Sequence, residues 1–146
     1  MGRDDPRSTI LATSVDVVFH TALVFSLFLL FRGHNAPGGG FVGGLVAGAA
    51  FVLRYVDGGS AALRRTIPLD PTALLGGGLA IASVTAMLPW LGGGELLDQH
   101  DWSATLPLLG TVKAGTALLF DAGVYSVVAG LVLALLRTLG AEEEDT

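Results

Sequence analysis

The sequence predicts an all-α membrane protein, four transmembrane helices in one bundle with both termini cytoplasmic. Three observations carry this expectation. Of 146 residues, 51% are hydrophobic and 14% charged, with a mean hydropathy of +0.65, whereas soluble domains carry about 25% charge. The apolar residues gather into long blocks that are continuous rather than alternating. Each block is about twice the ~10 residues a spanning strand needs, which selects helices over a barrel. Lys and Arg then divide unequally between alternate connections: Arg3, Arg7, Arg54, Arg64, Arg65 and Arg137 fall on the side of the termini, against Arg32 and Lys113 opposite. The positive-inside bias places the larger set in the cytoplasm.

The first block, 10–31, covers about 33 Å at the helical rise of about 1.5 Å per residue, enough for a bilayer core. Arg3 and Arg7 before it give it the look of a secretory signal. Arg32-Gly33-His34-Asn35 follows without a small-x-small cleavage site, so the segment is expected to be retained. The second block, 39–56, is rich in Gly, Ala and Val, the third, 71–91, carries no charge, and the fourth is 113–136. The connections 32–38, 57–70 and 92–111 are too short to fold separately, so 1–146 reads as one integral membrane domain. In the second connection, Arg64 and Arg65 with Leu63 and Ile67 suit a short interfacial helix. Trp90 and Trp102 suit interface anchors, and the tail Glu142-Glu143-Glu144-Asp145 reads as a solvated end.

Spans two and four carry small residues at every fourth position: Gly40, Gly44 and Gly48, then Ala122, Ser126, Gly130 and Ala134. Each series lies on one helix face. Because hydrocarbon competes for ordinary apolar contact, helices in lipid associate through such small residues. At least one of these faces is expected to dock against another chain.

Composition removes several classes of function. The 21 glycines show no Gly-X-Y period, and the absence of cysteine excludes a disulfide scaffold or a cysteine-ligated metal. With 13 acidic and 8 basic residues, a net charge of −5 leaves no basic footprint for nucleic acid. No nucleophile–base pair is spaced for catalysis, so neither an enzyme nor a cofactor is expected.

Among polar residues, Asp121 stands out, within a few positions of the centre of the fourth block. An ionised carboxylate at a helix centre costs about 2.5–3.5 kcal/mol on insertion scales, so such acids face a cavity or partner and often mark ion pathways. The alternatives are an ion-coupled acid or a structural Asp bonded to a neighbouring helix. Asp16 and His20, four positions apart, share a helix face and suit either a proton relay or an interfacial contact. Lys113, at the start of the fourth block, suits snorkelling to the interface, and with Asp121, Asp16 and His20 it is a candidate for the ion pathway.

The densest signal runs from Gly33 to Gly44: Gly33-His34-Asn35-Ala36-Pro37-Gly38-Gly39-Gly40-Phe41-Val42-Gly43-Gly44. Its formal G-x-G-x-x-G is not a dinucleotide fingerprint, because that motif follows a strand in a soluble βαβ unit. Pro37 suits a first helical turn, and the glycines permit close approach of another backbone. Gly33, His34, Asn35, Pro37, Gly38, Gly39, Gly40, Phe41, Gly43, Gly44 and, further along, Gly48 are read as a tightly packed helix-opening turn and packing face, with an ion path the alternative reading of the segment. In the third connection, Asp98, His100 and Asp101 lack the spacing of a metal site and read as a solvated loop.

At Gly33 to Gly44, at Phe120-Asp121-Ala122-Gly123-Val124-Tyr125 and at Leu106-Pro107-Leu108-Leu109-Gly110-Thr111, the sequence resembles the MnhB family, the B-type subunits of Mrp-type sodium/proton antiporters. The resemblance covers about 16–132. It implies a subunit of the bacterial plasma membrane in a hetero-oligomeric antiporter, packed with other small subunits beside large subunits similar to the complex I antiporter modules. Proton entry there drives sodium efflux for pH and salt homeostasis. On this view Asp121 borders the cation path, Na+ near it is completed by other subunits, and membrane lipid surrounds the rest. The alternative is a purely structural scaffold in that complex or in a related membrane-bound hydrogenase-type complex. A self-sufficient small exporter is the weakest reading, since intramembrane aromatics outside the first span are few.

Overall fold

The structure, a computed structural model, describes residues 6–32, 39–91, 101–106 and 110–145. In chain order these form α1 (Pro6–Arg32), α2 (Gly39–Thr66), α3 (Pro71–Leu91), β1 (Asp101–Leu106), β2 (Gly110–Gly115) and α4 (Thr116–Asp145). The stretches Thr9–Arg32, Gly39–Thr66 and Leu118–Glu142 are each long and apolar enough to cross a membrane, and α3 holds a shorter apolar stretch, Pro71–Met87.

Helix α1 packs on α2, α2 on α4, and α4 on α3. Successive contacts between α2 and α4 ascend in both chain segments, Gly40 with Asp121, Gly44 with Val128 and Gly48 with Val132, so these two helices run parallel. Helix α3 runs antiparallel to α4, with Gly78 against Gly123 and Leu74 against Gly130.

The small-residue faces lie inside the chain, which corrects the expectation that at least one of them meets another subunit. Gly40, Gly44 and Gly48 are filled by α4, while Ser126 and Gly130 on α4 are filled by Gly78 and by Leu74 and Leu75 on α3. The physical reason is economy of approach: a helix without Cβ atoms on one face lets the neighbouring backbone come close, and this chain supplies that neighbour itself.

Beyond the glycines, the core is built from side chains. Phe19, Ala47, Phe51, Leu63, Ile67, Ala129, Leu133 and Leu136 are buried together. On the outer surface, large apolar residues such as Val56, Leu79 and Leu131 stand exposed, as a lipid-facing surface requires.

Helix α2 breaks at Gly59, whose φ of 71° and ψ of −167° no other residue adopts without strain. The segment beyond it buries Leu63 and Ile67 and leaves Arg64 and Arg65 exposed, the amphipathic pattern expected of an interfacial helix. Helix α3 then starts cleanly: the Asp70 carboxylate accepts the Thr72 N–H at 3.1 Å, with Pro71 in the first helical position. Arg137 ties α4 to this corner, its guanidinium donating to the Ile67 carbonyl at 2.9 Å.

Several boundaries differ from the sequence expectation: α1 begins at Pro6 and not at 10, α2 continues past 56 to Thr66, and α4 runs from Thr116 to Asp145 and not over 113–136. The third connection contains an antiparallel hairpin, β1 paired to β2 with Ser103 opposite Lys113. Trp102, Thr105, Thr111 and Val112 are residues that favour pleated backbone. Lys113 therefore belongs to β2 rather than to the start of a spanning helix, and α4 begins three residues later at Thr116.

Candidate functional site

Asp121 sits in the second turn of α4, and its backbone lies against Gly40 at the start of α2. A Cβ on Gly40 would collide with the Asp121 carbonyl oxygen and stand 2.8 Å from its Cα. Asp121 stands at the end of the bundle where α2 and α4 both begin, half-buried and held by the glycine contact.

One turn deeper on the same face, Tyr125 reaches α1. Its hydroxyl lies 2.9 Å from Ser26 Oγ, and Ser26 Oγ lies 2.7 Å from the Leu23 carbonyl. A carbonyl only accepts, so the single Ser26 proton goes to Leu23 and Tyr125 donates to Ser26. Gly43 admits this pair, with a Cβ there placed 2.8 Å from the Ser26 carbonyl oxygen and 3.2 Å from the Tyr125 ring. The hydroxyl chain ends on a backbone carbonyl, so it locks α1 to α4. Tyr125→Phe is expected to leave Ser26 satisfied and to lower stability by about 1 kcal/mol, the scale of interhelical hydrogen bonds in membranes. The thermal midpoint of the purified complex measures it.

A second polar cluster lies nearer the other end of α1. The His20 Nδ1–H donates to the Asp16 carbonyl at 2.7 Å, while the Asp16 carboxylate is 3.7 Å away. The sequence pairing of Asp16 and His20 thus exists, but chiefly through the backbone. Arg54 of α2 is the partner that sequence spacing misses. Its guanidinium lies 3.5 Å from the Asp16 carboxylate, donates to Thr66 Oγ1 at 3.0 Å and stands 5.7 Å over the Phe19 ring. The one signal for it is a cation inside an otherwise apolar block.

The structure does not bring these clusters together. Six positions along α1, about 9 Å, separate His20 from Ser26. Lys113, in β2, shares no helix with either cluster. Gly33, His34, Asn35, Pro37, Gly38, Asp98 and His100 lie outside the described residues. Gly39, Gly40, Gly43, Gly44 and Gly48 are buried in the α2 packing face, whereas Phe41 points outward at 52% exposure. Among the described residues no group of three His, Cys, Asp or Glu side chains converges on one point.

Three helices long and apolar enough to span, locked through glycine contacts, define a multi-pass membrane protein. Residues 10–134 match the family described as "Domain related to MnhB subunit of Na+/H+ antiporter". The B-type Na(+)/H(+) antiporter subunit of Bacillus subtilis is 36% identical over 98% of this chain and 100% of its own length, and that of Alkalihalophilus pseudofirmus 38% identical over 94% and 95%. The structure of the Mrp complex from Dietzia sp. aligns with a TM-score of 0.73 at 33% identity, covering 96% of this chain. This chain spans 15% of the length of that matched polypeptide. The chain belongs to the MnhB family, and it is a multi-pass protein of the bacterial plasma membrane.

Proposed function

We propose that this chain is a subunit of an Mrp-type sodium/proton antiporter complex, packed against the other subunits and contributing Asp121 to the border of the cation path. Family membership over 10–134 and the alignment with an Mrp complex support the subunit reading. The observation that carries the finer reading is Asp121 itself, an acid within the Leu118–Glu142 spanning stretch whose backbone is clamped by Gly40. A carboxylate held at the mouth of a bundle concentrates cations, and groups from neighbouring subunits complete any Na+ site, because one acid supplies too few oxygens.

In this reading both termini are cytoplasmic and Asp121 lies at the opposite end. Asp16 and His20 form a separate polar station on α1, and Lys113 is a charge on the hairpin before α4. Asp121→Asn is expected to lower sodium-dependent proton flux in membrane vesicles at least several-fold while the complex keeps its subunit composition. Normal flux from that intact complex would leave the chain a scaffold.

A further inference from the structure

His20 lies midway along the Thr9–Arg32 spanning stretch, yet its side chain is 65% exposed, and that of Asp16, one turn away, is 53% exposed. It follows the buried Phe19 by one position, about 100° round the helix, and so turns away from the chain's own core. Thr9, Thr13, Asp16 and His20 recur at spacings of four, three and four and line one exposed side of α1. Beside them lies a depression of about 510 Å³ whose lining includes Ile10, Ser14 and Val17. Polar side chains at mid-span are costly against hydrocarbon and normally face protein or water.

The hydrogen bonding specifies what covers this side. The His20 Nδ1–H is committed to the Asp16 carbonyl, so in the neutral ring Nε2 is an acceptor and points outward. The Asp16 carboxylate beside it adds negative charge, already shared with Arg54.

We propose that this side of α1 is the docking surface for a transmembrane helix of a second subunit, which presents a hydrogen-bond donor, a hydroxyl or an ammonium, to His20 Nε2. The inference rests on the reading of the chain as a subunit of a complex, and is independent of any ion path through Asp121.

The test uses the tagged, purified complex. A photoreactive p-benzoylphenylalanine replaces Val17 or Val24, which are 60% and 67% exposed and flank His20, with the same probe at Val84 on α3 as a control. Illumination is expected to join residues 17 and 24 to one helix of another subunit, within a turn of a Ser, Thr, Tyr or Lys. In parallel, His20→Leu is expected to lower recovery of that subunit several-fold, and His20→Gln, whose amide oxygen replaces the Nε2 acceptor, to restore it.

Adducts with lipid alone, a joined helix lacking a donor within a turn, or full recovery in His20→Leu would each overturn the docking surface while the complex reading stands. A tagged wild-type chain that purifies without any other subunit would overturn the complex reading, and the docking surface with it.

Discussion

Gly40→Leu is expected to abolish incorporation of the chain into its complex, and Gly40→Ala to impair it strongly. A Cβ at this position meets the backbone of Asp121, its carbonyl oxygen first, and backbone cannot swing aside as a long side chain does. Extra methylene groups in a packed interior cost about 1–3 kcal/mol where side chains can adjust. With α2 forced away from α4 along the row Gly40, Gly44 and Gly48, the cost of leucine exceeds about 3 kcal/mol, a shift of more than about a hundredfold in the folded fraction. The amount of tagged chain recovered in the assembled complex measures it. Full recovery of Gly40→Ala would show that α2 and α4 do not approach as described.

The second large effect carries its own control. Gly76, Gly77 and Gly78 are consecutive in α3, but only Gly78 faces α4. A Cβ there would stand 2.7 Å from the Gly123 carbonyl oxygen and 2.9 Å from the Val127 nitrogen, whereas at Gly76 and Gly77 it would meet nothing within 4 Å. Gly78→Ala is expected to lower stability by about 2–3 kcal/mol as an overpacked contact. Gly76→Ala and Gly77→Ala are expected to be neutral or to gain up to about 1 kcal/mol, since Ala is the better helix former. Thermal midpoints of the three purified variants give the order. Equal midpoints for all three would refute the α3–α4 contact.

Much of this architecture is legible in the chain because its strongest signals are local. Long apolar blocks place the helices, and the four-residue recurrence of Gly40, Gly44 and Gly48 marks one close-packed face. That recurrence says nothing about who fills the face, which is a property of residues about 80 positions away. The ends of α4 are hidden for a related reason. Lys113 opens the fourth apolar block, yet backbone pairing within the hairpin claims it, and α4 starts later and continues past Arg137. Arg137 does not end the helix because its guanidinium turns inward to the Ile67 carbonyl. Arg54 serves orientation in a count of charges, while its contact with Asp16 joins two helices and shows in the local pattern only as a cation inside an apolar block. The acid, the Asp16–His20 spacing and the glycine row are visible as residues, whereas their separation into two stations emerges only from packing.

The α2–α4 contact has a mechanical consequence. At the Asp121 end the backbones touch and cannot slide without collision. At the far end Gly140 lies against Ser60 and the Arg137 guanidinium holds the Ile67 carbonyl, with Phe51, Leu133 and Leu136 buried in the cluster between. Between Gly40 and Tyr55 lie about 22 Å of helix, so a tilt of about 5° about the Asp121 end displaces the far end by about 2 Å and has to open those contacts. The two helices are pinned at both ends and move as one strut.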